Sequence, residues 1–283
     1  MSGSIVAGNV GCLATAVVLL GSTWAFADLA VLDAVVCEEI KAAGIPLVRA
    51  GAARGTVDGY ERGFVIRTVQ ATFTEGWNRD EMNKLLDFGC TGPLCMGPGM
   101  AVAGTEQGTR ISEFVNLHES GSRGAFTADN GYTDESYPGI DSFESPTADP
   151  ADGDDDDYFA TEVLARLHLS EGLHIVGANS RDGTIIEIGG IEIGRTAEYK
   201  DASNADFMFA VEQAGTYTFR ARNLAGDGGA SLELHEIVRT SEGVWRRILL
   251  GDVAAGGTPV FVPEPATVVL LGLAALFLTR SRK

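Results

Sequence analysis

Apolar and polar residues alternate with a period of two through much of the second half of the chain. In Phe159–Leu169 one face of the predicted strand carries the apolar residues Val163, Ala165, Leu167 and Leu169. The opposite face carries Glu162, Arg166 and His168. Because successive side chains of a strand point to opposite sides of a sheet, this pattern predicts a strand with one buried face.

Similar short segments follow and are separated by glycine-containing turns, such as Arg181-Asp182-Gly183 and Gly189-Gly190. The further predicted strands are Leu173–Ser180, Thr184–Ile188, Ile191–Gly194, Phe207–Glu212, Thr216–Asn223 and Ala230–Val238. Alternation with turns at this density is typical of antiparallel sheets that pack face to face. The predicted fold class is therefore all-β, an antiparallel β-sandwich with short helices.

The first half of the chain is less regular. The spacing of apolar residues predicts helices at Asp28–Ala43 and Asn78–Phe88, and strands at Phe64–Phe73 and Ile111–His118. Glycine, proline and acidic residues dominate the intervening stretches, which are predicted to be long loops. We therefore expect residues 28–158 to form the N-terminal part of the β domain, 159–250 its well-formed strands, and 251–262 a linker.

The C-terminal residues 263–283 combine three features. Pro263, Glu264 and Pro265 come first, and an uncharged apolar run over 266–278 follows. The chain then ends in basic residues at Arg280, Arg282 and Lys283. The apolar run predicts a transmembrane helix, and the terminal cations place its end in the cytoplasm, with the rest of the protein outside. At about 1.5 Å per residue the run covers roughly two-thirds of a 30 Å hydrocarbon core, so the anchor is marginal.

The order of proline triplet, apolar run and basic end resembles the bacterial PEP-CTERM sorting signal. The resemblance implies that an exosortase-like membrane protease reads this tail, and that the protein is anchored transiently before it reaches the cell surface or extracellular matrix. The alternatives for this segment are an ordinary C-terminal membrane anchor or a buried hydrophobic helix.

The N-terminal residues 1–27 have the features of a secretory signal peptide. The apolar stretch 5–20 precedes an Ala-x-Ala pattern formed by Ala25 and Ala27, which predicts cleavage before Asp28. The Sec translocase and signal peptidase are then expected partners. No Lys or Arg precedes the apolar stretch, so the signal is atypical, and a buried N-terminal helix is the alternative.

The formal net charge of the chain is −18, and loss of the three terminal cations makes it −21. Such an acidic body repels nucleic acid and anionic lipid, so we expect no nucleic-acid partner. It attracts cations, or it keeps an extracellular protein soluble.

Cys90 and Cys95 lie close together, with a Gly-Pro turn between them. Because disulfides persist outside the cell, we predict that these two residues form a small disulfide loop. Cys37 is expected to be buried.

Asp152, Asp154 and Asp156 have the odd-position spacing of an EF-hand loop. The pattern fails at the sixth position, which is Asp157 rather than Gly, and at the twelfth, which is Val163 rather than Glu. A calcium site of another type and a solvated acidic loop are the two interpretations.

The run Gly172–Gly183, which leads into Thr184–Gly190, resembles the "sugar-sandwich" PA14 family, whose members carry a strand, an Asp-Gly turn and a strand that ends at a glycine. The segments Ala214–Phe219 and Gly228–Leu234 are similar to later strands of that family. The resemblance covers about residues 159–238 and implies a jelly-roll-type sandwich.

Members of this family that bind sugars often do so through calcium held by an adjacent Asp pair. In this chain Arg181 stands beside Asp182, so one carboxylate of such a pair is missing, and Asp227 is the candidate to supply another. Both aspartates are otherwise turn residues chosen for local hydrogen bonds. Calcium is the one cofactor that the resemblance suggests.

Catalytic motifs are scarce. The sequence contains no Gly-x-Ser-x-Gly, P-loop or His-Glu-x-x-His motif, and its histidines are scattered. His168 and His235 fall on predicted outward faces, where a zinc site would require them to converge. We expect a non-catalytic exported envelope or matrix protein whose sandwich binds polysaccharide or another surface component. The alternatives are a secreted glycoside hydrolase and a purely structural matrix protein.

Overall fold

The computed structural model of the protein describes residues 34–52, 61–71, 78–88, 104–118, 124–127, 131–138, 159–226, 230–240 and 242–263. Within these ranges no helix has the length and apolar character needed to span a membrane. The predicted signal peptide, including Ala25, Ala27 and Asp28, lies outside the described residues, and so does the apolar run of the C-terminal tail.

The described residues form two β-sheets and two α-helices, numbered in chain order. Sheet A comprises β1 (Leu47–Val48), β4 (Asn116–His118), β6 (Gly172–Ser180), β9 (Ser203–Val211), β11 (Ser231–Arg239) and β12 (Trp245–Leu249). Sheet B comprises β2 (Phe64–Ala71), β3 (Gly104–Ser112), β5 (Phe159–Leu169), β7 (Thr184–Ile188), β8 (Ile191–Arg195), β10 (Gly215–Ala225) and β13 (Val260–Phe261). The helices are α1 (Ala34–Ala42) and α2 (Arg79–Phe88).

Strand order explains how the chain builds two layers. Sheet A runs β1-β9-β6-β11-β12, with β4 beside β11, and sheet B runs β3-β2-β5-β10-β7-β8, with β13 beside β5. The pairs of both sheets are antiparallel except β1–β9, which is parallel. The central apolar core contains side chains from both sheets. The predicted all-β antiparallel sandwich is therefore confirmed.

The alternation in the sequence corresponds to the two faces of sheet B. Val163, Ala165, Leu167 and Leu169 of β5 lie in the core, as predicted. On the other face Glu162 is buried between two arginines: its Oε2 accepts from Arg67 at 2.8 Å and its Oε1 from Arg220 at 2.7 Å. A period of two thus predicted which face each residue occupies.

The helices cover parts of the outer faces of the sandwich. Helix α2 packs Met82, Leu85 and Leu86 against Val69 and neighbouring apolar residues on sheet B. Helix α1 places Cys37 and Ile40 against Ala210 on sheet A, and Cys37 is buried, as expected. Burial of each such large apolar side chain contributes about 1.5–3 kcal/mol, so the helices extend the core outward on both sides.

Several strands differ from the prediction. Strand β9 begins at Ser203, four residues before Phe207, because the backbone of Ser203–Asp206 continues the ladder with β6 whatever the side chains are. Strand β12 was not predicted, since Trp245, Arg246 and Arg247 break the apolar alternation. In the hairpin between β11 and β12, the backbone N–H of Thr240 donates to the carbonyl oxygen of Val244 at 2.8 Å, and Gly243 has φ 80°.

The segment 251–262, predicted to be a linker, contributes a strand to the sandwich. Val260 and Phe261 of β13 pair with Leu167 and Arg166 of β5, and Val260 is buried in the core. The pairing is only two residues long, so no period was visible in the sequence. The sandwich therefore extends to the start of the C-terminal tail.

Candidate functional site

An open groove of about 520 Å³ lies at the end of the sandwich where the β5–β6 hairpin turns. Its walls come from that hairpin, from β11 and β12, and from the loop 256–259. The side chains that give it chemical character are His174, Glu236, Arg239 and Trp245. Clefts of this size are the usual sites for small ligands on a folded domain.

His174 forms part of the hairpin wall. The turn before it places Gly172 at φ 123°, a backbone conformation that favours glycine. The imidazole Nε2 lies 2.8 Å from the carbonyl oxygen of Ser170, and the ring stacks on Phe209 with centroids 5.4 Å apart. Withdrawal of the ring from water lowers the pKa of His174, so the side chain is neutral at pH 7 and suits hydrogen bonding rather than ion pairing.

Glu236 connects β11 to the loop that closes the groove. Its Oε1 accepts from the Thr258 backbone N–H and its Oε2 from the Thr258 hydroxyl, both at 2.7 Å. The backbone of Gly257 lies directly against this carboxylate. A Cβ at Gly257 would be only 2.6 Å from Oε1 of Glu236. Burial raises the pKa of Glu236, although the hydrogen bonds from Thr258 oppose that shift.

The outer lip of the groove is aromatic and cationic. Trp245 is 43% exposed and pairs across the hairpin with Arg239. Val244, the residue before it, is 58% exposed. An accessible indole beside a guanidinium offers a flat apolar surface and hydrogen-bond donors side by side, which is the combination that a sugar ring requires.

The sequence contained a signal for two of these residues. Glu236 shares the alternation phase of the core residues Leu232 and Leu234, and His174 shares that of Val176. A polar residue on the inward phase at the end of a strand therefore marks the mouth of a sandwich. Nothing in the sequence distinguished Trp245.

Asp182, the candidate calcium ligand, lies at the opposite end of the sandwich. Strand β6 separates it from the groove by about 26 Å at 3.3 Å per residue. Asp182 has φ 64°, and its buried carboxylate accepts from the backbone N–H groups of Gly226 at 2.9 Å and Lys200 at 3.4 Å. Burial raises the pKa of this carboxyl group.

The other predicted site residues fall elsewhere. Asp152, Asp154, Asp156, Asp227, Cys90 and Cys95 lie outside the described residues, as do Glu264, Pro265, Arg280, Arg282 and Lys283. Pro263 is the last described residue. Among the residues that the structure describes, no group of three or more His, Cys, Asp and Glu could hold a metal ion.

His168 and His235 belong to different sheets and do not form the zinc pair considered above. His168 is exposed on sheet B, whereas His235 is buried on the outer face of sheet A. His235 therefore lies on the predicted outward face, but that face is covered and not open to solvent. The reason is that residues 124–127 and 131–135, distant in sequence, cross this face of the sheet.

A buried polar cluster lies beneath these crossing residues. Glu233 accepts from the backbone N–H groups of Ala125 at 2.8 Å and Phe126 at 2.9 Å, and His118 Nε2 lies 3.4 Å from its Oε1. Next to it, His235 Nε2 lies 2.7 Å from Asp206, which also accepts from Arg247 at 2.7 Å. Burial acts to raise the pKa of Asp206, but the hydrogen bonds and charges of His235 and Arg247 together lower it.

Comparison with known proteins identifies the tail and provides similar folds. Residues 261–283 match the PEP-CTERM protein-sorting motif. The protein is therefore an exported one that is sorted to the cell surface. A search of curated protein sequences gives no match.

The sandwich is similar to solved PA14 domains and adhesin domains. It matches the PA14 domain of the MpAFP antifreeze protein with a TM-score of 0.46 and 12% identity, over 75% of this chain and 98% of that one. The PA14 sugar-binding domain from an RTX adhesin gives 0.40 and 13%, over 66% and 95%. The epithelial adhesin 9 A domain from Candida glabrata, solved with Galβ1-3GlcNAc, gives 0.43 and 7%, over 78% and 97%. At these values the similarity is one of strand arrangement.

Proposed function

We propose that this exported protein binds extracellular polysaccharide through the groove at the β5–β6 end of its sandwich, without chemical turnover. The observation that supports the proposal is the exposed Trp245, which stands beside Arg239 over a cleft of about 520 Å³. Indole faces stack on the C–H face of a pyranose, while the guanidinium and the neutral His174 supply hydrogen bonds.

The hydrogen bonds of Glu236 favour binding over hydrolysis. Both carboxylate oxygens accept hydrogen bonds from Thr258, so this acid holds a loop rather than facing a substrate. A hydrolase would nevertheless use an acid with a raised pKa in a cleft, and Glu171 also lines this groove. Release of reducing sugar from a polysaccharide panel, abolished in both Glu171→Gln and Glu236→Gln, would establish the hydrolase alternative.

Binding is tested on a glycan array with the full-length chain in mild detergent. We expect signals on a subset of polysaccharides that Trp245→Ala reduces by about tenfold, the usual size of an aromatic stacking contribution of 1–1.5 kcal/mol. Tyr199→Ala is the matched control, because Tyr199 is 55% exposed but lies near Gly226 at the other end of the sandwich. Loss of binding in the Tyr199 variant alone would move the site to the Asp182 end.

Calcium is tested in the same experiment. A calcium site that uses Asp182 and Asp227, as the sequence suggests, requires binding to fall when a chelator is added. Groove binding through Trp245 is expected to persist in chelator. An array without signal in either condition would favour the purely structural matrix role.

Processing of both termini is part of the proposal. We propose that the Sec translocase exports the chain, that signal peptidase cleaves before Asp28, and that an exosortase-like protease acts on the tail after a transient membrane stage. Mass spectrometry of the mature termini from the native host tests both cuts. An intact Met1 and Lys283 on protein from the cytosol would refute export.

A further inference from the structure

A second, smaller cavity lies against β12 of sheet A and shares no lining residue with the groove. Its volume is about 210 Å³, and it is lined by Ala125, Phe126, Tyr132, Arg246 and Arg247. One wall is formed by residues 124–127 and 131–135, which cross sheet A, and the other wall is β12. The space corresponds to one sugar ring rather than to a polymer segment.

The cavity is cationic in a strongly acidic protein. The net charge of the chain is −18, yet both charged side chains that line this cavity are arginines. Arg247 is held by Asp206, to which its Nη2 donates at 2.7 Å. Within the described ranges no carboxylate forms an ion pair with Arg246, so its guanidinium is available to a ligand.

The aromatic walls are fixed in position. Phe126 and Tyr132 meet at 82° with centroids 5.4 Å apart, and Phe114 supports Tyr132 from behind at 5.8 Å. The Tyr132 hydroxyl donates to Asp252 Oδ2 at 2.6 Å. Burial and this carboxylate raise the pKa of Tyr132 to about 12, so the phenol stays neutral and adds no negative charge to the cavity.

The layer behind the cavity contains polar atoms that no described residue satisfies. Arg247 Nε and His235 Nδ1 are buried without a hydrogen-bond partner among the described residues. The His235 ring is fully buried and lies 6.1 Å from the Phe126 ring. Buried polar atoms are almost always paired in folded proteins, so these two atoms give the layer behind the cavity spare hydrogen-bonding capacity.

We propose that this cavity binds a uronate ring, a sugar whose carboxylate pairs with Arg246 while its C–H face packs on Phe126 or Tyr132. The bidentate fork of arginine matches carboxylate geometry, and an aromatic wall favours a ring over a small free acid. The site is separate from the groove, and the inference does not depend on binding there.

Isothermal titration of the full-length chain with sodium glucuronate tests this site. D-Glucose is the matched neutral ring, and sodium acetate is the carboxylate without a ring. We expect glucuronate to bind at least tenfold more tightly than either, and added salt to weaken it because the contact is ionic. Equal affinity for glucose or for acetate would overturn the proposal.

Variants locate the binding. Arg246→Gln is expected to weaken glucuronate binding by about tenfold or more, the effect of losing a charge-assisted pair. Arg239→Gln is the matched control, an exposed arginine on the neighbouring strand that lines the groove instead, and it should leave glucuronate binding unchanged. Unchanged binding in Arg246→Gln, or equal loss in both variants, would refute the assignment.

A third titration distinguishes an acidic polysaccharide from a free sugar acid as the source of the uronate. A six-residue uronic acid oligomer that binds more tightly per molecule than the monomer identifies an acidic polysaccharide as the source. Equal affinity identifies a free sugar acid. Failure of neutral glycans on the array with uronate binding intact would reject the groove proposal and leave this one standing.

Discussion

Gly177 on β6 occupies a position where a side chain would clash with its neighbours, and replacing it with alanine tests the buried polar layer directly. A Cβ at this position would fall well inside 3.0 Å of the Ala205 carbonyl oxygen on β9 and of His235 Nε2 on β11, and 3.0 Å from Asp206 Oδ1. The absence of a side chain therefore lets the imidazole lie across β6 and reach Asp206 at 2.7 Å.

The cost of Gly177→Ala follows from two contacts that must change. The added methyl group overpacks a closed site, and the backbone of β9 must shift to make room for it. Overpacking of this kind costs about 1–3 kcal/mol. Displacing His235 from Asp206 also removes a charge-assisted hydrogen bond, which typically contributes about 1.5–3 kcal/mol. The contribution here is toward the lower end of that range, because Asp206 is partly exposed to solvent. Alanine restores roughly 0.4–1 kcal/mol by restricting the unfolded chain. We expect a net loss of about 2–4 kcal/mol in the free energy of unfolding.

Urea unfolding followed by circular dichroism measures this loss. Gly51→Ala is the matched control, because a Cβ there meets nothing within 4 Å and its φ is not positive, so we expect a change within about 0.5 kcal/mol. In the double variant Gly177→Ala/His235→Ala the two costs should not add, with a coupling of about 0.5–3 kcal/mol. Equal stability of the two glycine variants, or strict additivity, would show that His235 does not lie against Gly177.

Three further predictions concern buried charges. The pKa of Glu236 is higher in the folded than in the unfolded protein, so the free energy of unfolding should fall as the pH rises from the unfolded pKa of about 4.5 toward the folded pKa. Glu236→Gln should flatten that slope when unfolding is measured as a function of pH. Since the folded pKa of His235 is lowered, stability should fall as pH drops below about 6.5, and His235→Gln should remove that fall in the same titration. Glu162→Gln should cost about 1.5–3 kcal/mol, whereas Glu192→Gln, in an exposed pair with Arg195, should cost less than about 1 kcal/mol; equal costs would contradict the burial argument.

Period-two alternation was sufficient to predict the faces of β5, because this strand runs through the centre of sheet B, where one face meets the core. It could not predict what covers the other face. His235 occupies the predicted outward phase of β11, which Glu233 shares, and both residues are nonetheless fully buried. The residues that cover them come from about 100 positions earlier, and such a contact leaves no trace in a local pattern.

The groove escaped prediction for a related reason. It forms only where the loop 256–259 returns beside β11, and that return depends on a side-chain contact between Glu236 and Thr258. The sequence around Gly256 and Gly257 reads as a linker, although Gly257 is needed for closeness to Glu236 and Gly256 for its backbone conformation at φ 92°. Sites built from strand ends plus a distant loop require the fold before they can be recognised.

The position of the groove relative to the tail has a consequence for when it can bind. Pro259 lines the groove, and Phe261, where the sorting motif begins, is paired in sheet B. Four residues at 3.3–3.6 Å each put Pro263 within about 14 Å of Pro259, so the tail leaves the sandwich beside the groove.

If the tail inserts in a bilayer, as its sequence predicts, the groove is held close to the membrane surface, and the access of long polymers to the groove is hindered. Polysaccharide binding should then be weaker for protein inserted in vesicles than for protein cut after residue 263, while the small-ring cavity on sheet A, which shares no lining residue with the groove, should not distinguish the two forms. Equal polymer binding in both forms would refute the placement of the site in the groove or the insertion of the tail, and the response of Trp245→Ala would separate these two explanations.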